Sequence, residues 1–267
     1  MLVLIKFYRR VDVTSSAVER FFLLVLSLLL ISCNGDNVPD CFQNAGEMVR
    51  RPVDVSEFSA ITVFENLKVV LKQGNVHQVE VETGEYLLSD VSAVVEDNRL
   101  VLHNENSCNY VRDYGLTTVY VTSPDITEIR SSTGLLISSD GVLNYPNLTL
   151  LAESYSNPET ETTDGSFDLN LNSTTIRITV NGIAYFKLQG NTDNFNVNVA
   201  AGDSRIEAGE LDSENVTVNH RGSNDVFVNP QQRLGGVIRG TGNIISVTTP
   251  PEVDVEELFT GRLIFED

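Results

Sequence analysis

The sequence has no tryptophan, three cysteines and three histidines in 267 residues, and it is poor in positive charge. Eighteen Lys and Arg stand against 37 Asp and Glu, a formal charge of −19. That shortage excludes a phosphate-binding, nucleic-acid surface, because Lys and Arg supply such affinity by neutralising phosphates. It also disfavours docking on an anionic leaflet through basic residues. His77, His103 and His220 stand apart with no Cys-x-x-Cys or His-x-x-x-His spacing, so no metal site is expected. There is no Gly-x-Ser-x-Gly, phosphate loop or dinucleotide fingerprint, and no cofactor is expected. The apolar fraction of 41% is nevertheless too high for a wholly disordered acidic chain and can fill a core.

Long hydrophobic runs are also missing. Phe21 to Ile31, interrupted by Ser27, is too short to span a membrane as a helix, which needs roughly 20 residues. Preceded by Lys6, Arg9, Arg10 and Arg20, it has the parts of a secretory signal; a buried core helix is the competing reading. Leu30-Ile31-Ser32-Cys33 resembles the bacterial lipobox. That resemblance implies removal of residues 1–32, lipidation of Cys33 and a mature chain starting there. Residues 33–48 then form a tether, and loss of four basic and two acidic residues takes the charge to −21. Asn34 is not the Asp that retains some lipoproteins in the inner membrane, so the expected location is the cell envelope, at the outer membrane.

Two cysteines are left, Cys41 and Cys108. In an oxidising compartment an even pair reads as a disulfide, closing a loop worth about 4 kcal/mol in the chain-entropy model. Two separate buried thiols are the alternative.

Sustained helical periodicity is absent after residue 33, apart from one short turn around Glu85 to Val91. Short alternating segments recur instead: Phe58–Val63, Leu67–Lys72, Gln78–Glu82, Arg99–His103 and Thr117–Thr122. From residue 130 a repeat emerges, each glycine being followed by a strand: Gly134, Gly165, Gly182, Gly202, Gly222, Gly240 and Gly261. Their successive spacings are 31, 17, 20, 20, 18 and 21 residues. Second strands lie between them at Thr175–Thr179, Phe195–Val199 and Asn215–Asn219. A period near 20 with short strands per unit predicts an all-β solenoid whose coils turn at glycine or Asn, where φ can be positive. An antiparallel β-sandwich is the competing architecture. A single solenoid domain is expected over 49–267. The acidic segment 153–164 reads as an insertion, and Glu252–Glu257, after Pro250-Pro251, as a final coil with a charged edge.

The coil Arg221-Gly-Ser-Asn-Asp-Val-Phe-Val228, the later Arg239-Gly-Thr-Gly-Asn-Ile244 and the opening Arg51-Pro-Val-Asp-Val-Ser-Glu-Phe-Ser-Ala-Ile-Thr-Val63 resemble the auto-transporter adhesin, head GIN domain family of Bacteroidetes surface lipoproteins. The resemblance covers about residues 49–265. It departs from the Gly-Ser-Gly pattern at Thr133-Gly134-Leu135, Asn181-Gly182-Ile183 and Ala201-Gly202-Asp203. It implies a right-handed parallel β-helix, exported and envelope-attached, with a binding or structural role and no established activity. A glycan or protein at the cell surface is the expected ligand class, besides the membrane itself.

The alternative is a carbohydrate-active β-helix enzyme using carboxylates on one face. Asp168, Asp203 and Asp225 are its candidates, though such residues usually satisfy corner backbone. Tyr110, Tyr114, Tyr120, Tyr145 and Tyr155 are candidates for glycan stacking, with ordinary packing as the plainer account and the missing tryptophan against them. No catalytic residue is assigned. Assembly through open coil ends is a third reading.

Overall fold

The computed structural model describes Arg20 and residues 40–64, 66–106, 108–154 and 162–266. Cys33, the lipobox and most of the 153–164 insertion, with Tyr155, lie outside these residues. The protein is all-β. Its strands are β1 (Met48–Val53), β2 (Ala60–Val63), β3 (Lys68–Gln73), β4 (Gln78–Gly84), β5 (Val91–Glu96), β6 (Arg99–Asn104), β7 (Thr118–Ser123), β8 (Glu128–Ser131), β9 (Leu136–Leu143) and β10 (Asn147–Ala152). Long strands follow, β11 (Gly165–Val180), β12 (Ala184–Val199), β13 (Arg205–His220) and β14 (Val226–Ile238), then β15 (Ile244–Ser246), β16 (Glu252–Glu257) and β17 (Leu263–Phe265). The helical turn expected near Glu85 is a 3-10 turn, Leu88–Asp90.

From β8 onward the strands pair in parallel, each with the segment about one glycine step further along the chain. Gly165 pairs with Ala184, Tyr185 with Arg205, Ile206 with Val226, Val226 with Ile244 and Ile244 with Leu263. Each long strand belongs to two columns. Its first half stacks in one, and its second half (Thr175, Asn194, Asn215, Arg233, Glu252) stacks in the other. Alternation explains why these sequences do this. In β11 the inward Phe167, Leu169, Leu171, Ile176 and Ile178 are buried, while Asp168, Asn170, Asn172 and Arg177 face out. The inward residues merge into one apolar cluster running the length of the stack, with Phe167 stacked on Phe186 at 4.7 Å between centroids. Each such side chain removed from water contributes about 1.5–3 kcal/mol.

The first third departs from a simple succession of coils. Ala60 pairs in parallel with both Arg99 and Glu128, and Val69 with both Val119 and Ile137. The β2–β3 layer therefore sits between β6–β7 and β8–β9, out of chain order. Antiparallel pairings of β1 with β4, β4 with β7 and β5 with β6 close this end. Asp97 and Asn98 join β5 to β6 with φ of 47° and 64°, the left-handed pair that a two-residue hairpin needs.

At the connections from the second column to the first lie Gly134, Gly182, Gly202, Gly222, Gly240 and Gly261, whereas Gly165 opens β11 itself. Of these seven, Gly202 alone has a left-handed φ, +89°; the expectation of positive φ at the other corners is corrected. Close approach replaces it. Asp203 N donates to Gly182 O at 3.0 Å, Ser223 N to Gly202 O at 3.0 Å, Thr241 N to Gly222 O at 3.2 Å and Gly261 N to Gly240 O at 3.1 Å. Backbone stacks directly on backbone there. A Cβ at Gly202 would strike the Gly182 carbonyl, and one at Gly240 the Gly222 carbonyl.

Candidate functional site

The outer face of β1, β4, β7, β3 and β9 brings Arg50, Lys72 and Tyr120 to one groove. Antiparallel pairing sets Glu80 against Tyr120 and Arg50 against Glu82, and parallel pairing sets Val70 against Tyr120. Side chains at these matched positions emerge on one surface. Arg50 Nη2 donates to Glu80 Oε2 at 2.6 Å, and its guanidinium lies 3.6 Å from the centre of the Tyr120 ring. Tyr120 OH donates to Glu82 Oε2 at 2.6 Å. That bond, with partial burial, raises the phenol above its ordinary pKa. Beside them Lys72 Nζ meets Asp140 Oδ2 at 3.1 Å. Together Arg50, Val70, Lys72, Tyr120, Ser139 and Asp140 border an open groove of about 540 Å³. The arrangement places two cations, a phenol and three carboxylates on one surface, paired with one another.

Two further outer surfaces are similarly locked. On β5, β6 and β2 a groove of about 500 Å³ includes Thr62, Phe64, Glu96, Arg99 and His103. Arg99 bridges Thr62 Oγ1 (3.1 Å) and Glu128 (2.7 Å), and the Phe64 and His103 rings stack at 3.9 Å. Along the first column of the long strands, Tyr185 OH (2.6 Å) and Arg205 Nε (2.7 Å) both donate to Glu207. These donors, the phenol first, hold the Glu207 carboxyl below its usual range.

The residues singled out from sequence are placed as follows. Cys41 and Cys108 form a disulfide with Cα atoms 4.5 Å apart. The three aspartates each have their own partner: Asp168 faces Lys187 at 3.9 Å, Asp203 accepts from Ser223 Oγ at 2.6 Å, and Asp225 accepts from Asn243 N and Nδ2 at 2.9 and 3.0 Å. Asp225 thereby satisfies corner backbone, and Asp203 a corner side chain. Among the described residues no group of three or more His, Cys, Asp and Glu is placed to hold a metal. The described tyrosines do not form one platform: Tyr145 is fully buried, Tyr120 is partly buried under Arg50, and Tyr110 and Tyr114 are exposed. Sequence reasoning missed Arg50, which lies before the repeat. It also missed the buried pair of Arg130 and Glu153, because only the layer order brings them together.

The family model described as "Putative auto-transporter adhesin, head GIN domain" matches residues 57–250. The chain belongs to this family. Solved structures of similar fold carry adhesin descriptions as well. One from Bacteroides fragilis, described as a putative adhesin, is 18% identical with a TM-score of 0.71, covering 84% of this chain and 99% of that one. One from Parabacteroides merdae, again described as a putative adhesin, is 16% identical with a TM-score of 0.56, covering 83% and 97%. A third, from Parabacteroides distasonis, is described as a putative lipid binding protein, at 15% identity and TM-score 0.58, covering 83% and 98%. At such identities the likeness speaks for the head GIN domain fold alone. A search of curated proteins finds no match.

Proposed function

We propose that this head GIN domain protein is a lipid-anchored binding protein of the outer membrane. Its body is a right-handed parallel β-solenoid that presents the Arg50–Tyr120–Lys72 face to a polar ligand, a cell-surface glycan in the first instance. The observation that carries the reading is the groove of about 540 Å³ in which Arg50 and Tyr120 are held by Glu80 and Glu82, with Lys72 paired to Asp140 beside them. Groups positioned in advance lose little conformational freedom on binding. The parallel stacking at steps near 20 residues supports the solenoid, and the family's adhesin description supports a binding role over catalysis. The lipobox at Leu30–Cys33 supports the anchor.

Two measurements test this reading. Cys33→Ser should move the protein from the membrane to the soluble fraction; unchanged fractionation would refute lipidation. On an array of bacterial and host glycans, binding by the mature domain should be lost on Arg50→Ala and on Tyr120→Ala. Equal binding by wild type and both variants would remove the groove from the reading.

A further inference from the structure

Phe42, Tyr110, Val111 and Tyr114 are 55%, 76%, 56% and 77% exposed, and they lie on two segments joined by the Cys41–Cys108 disulfide. Large apolar and aromatic side chains gathered on one exposed loop mark a contact surface. The loop is not loosely held. Tyr110 N donates to Cys41 O at 3.0 Å, Arg112 Nη1 to Gln43 O at 3.0 Å and Arg112 Nη2 to Cys108 O at 2.9 Å. Asn109 Oδ1 accepts from the main-chain N–H groups of Val111 (3.2 Å) and Arg112 (2.9 Å). Tyr114 OH donates to Asn109 O at 3.3 Å. The rings of Phe42 and Tyr110 meet at 5.7 Å with their remaining faces outward.

Chain position says what covers them. Cys33 precedes Cys41 by eight residues, which span at most about 27 Å when fully extended. A bilayer entered by acyl chains on Cys33 is thus within reach of the patch. Aromatic residues such as Tyr are enriched at the level of lipid headgroups, where an apolar ring and a polar tip are both satisfied. The anchor makes the contact intramolecular, so a weak patch suffices. Asp113, exposed beside the patch, and the net negative charge point to zwitterionic rather than anionic lipid. We infer that the stapled loop, through Phe42, Tyr110, Val111 and Tyr114, rests on the lipid bilayer that the Cys33 anchor enters. This rests on the anchored reading above.

The absence of tryptophan makes the test direct. Tyr110→Trp, and Tyr114→Trp as a second variant, each introduce a sole indole at an exposed position. The lipidated mature chain is reconstituted in phosphatidylcholine vesicles, with Val142→Trp, an exposed position on β9, as a control. The expected result is flotation with the vesicles, a blue shift, loss of iodide quenching and quenching by brominated phosphatidylcholine at positions 110 and 114, but not at 142. Flotation with both indoles still open to iodide and untouched by bromolipid overturns the inference and leaves the anchor standing. A concentration-dependent blue shift without bromolipid quenching assigns the patch to a second copy and also overturns it. Failure to float overturns the anchored reading and the inference together.

Discussion

Arg130 Nη1 lies 2.7 Å from Glu153 Oε1 and 2.9 Å from the Glu153 carbonyl, with the two side chains only 7% and 1% exposed. Arg130 sits in β8 between Thr62 of β2 and Leu151 of β10. The pair therefore joins two successive layers, 23 residues apart along the chain. Removing either partner breaks a buried charged contact, which costs about 3–5 kcal/mol. Arg130→Met and Glu153→Leu should each lower stability by that order in urea titration. The double variant should lose less than the sum of the two single losses, because the contact between them is removed only once. Losses that simply add would show that the two groups are not coupled.

The corner glycines are not equivalent. At Gly222 a Cβ would lie 2.7 Å from Val199 Cγ1 and 3.1 Å from Gly202 O, so Gly222→Val should destabilise by about 1–3 kcal/mol through overpacking. At Gly134 the nearest atom would be Asp164 Oδ2 at 4.0 Å and φ is ordinary, so Gly134→Ala should change stability by no more than about 0.5 kcal/mol. Equal melting-temperature shifts in the two variants would contradict close approach as the reason for glycine.

His220 is almost fully buried at the end of β13, and its Nε2 contacts Asn224 O at 2.9 Å. Burial lowers its pKa, more than the Asn224 carbonyl and the Asp225 charge raise it. The unfolded chain then takes up this proton first, at about pH 6.5. The stabilisation is complete above that value and disappears as pH falls through the lower folded pKa. Unfolding free energies of wild type and His220→Asn, measured from pH 7.5 to 4.5, should differ most at neutral pH and converge on acidification. A constant difference would rule out His220 as the titrating group.

The disulfide closes a separation of 67 residues. Cys108→Ser, paired with Cys41→Ser to avoid a stray thiol, should lower stability by about 2–5 kcal/mol. Hydrogen exchange should quicken first in residues 40–48 and 105–117, the two segments the bond joins. A non-reducing peptide map provides the direct check on the pairing.

Much of the repeat was legible along the chain. Val, Ile, Leu and Phe alternate with Asn, Thr and Asp in β11 to β14 because one face is buried, and that constraint is local. Glycine spacing disclosed the stacking period, though for a reason other than φ. The first third was legible as strands but not as a topology. Nothing local tells Ala60 to pair with both Arg99 and Glu128, and the Asp97-Asn98 hairpin signal went unread. The tyrosines look alike in sequence; their fates differ because Tyr145 faces the core and Tyr110 sits on a stapled loop.

The sequence by itself determined the strand character, the period near 20 and the acidic surface, and it brought Cys41 and Cys108 together as the natural pair. Those follow from residue chemistry read over a few neighbours or from simple counting. Tertiary structure alone decided the order of the layers, the burial of Arg130 with Glu153, the Arg50–Tyr120 groove and the exposure of Tyr110 beside Cys41. Each depends on which strands become neighbours across tens of residues, and a one-residue shift in that pairing would turn every side chain to the opposite face.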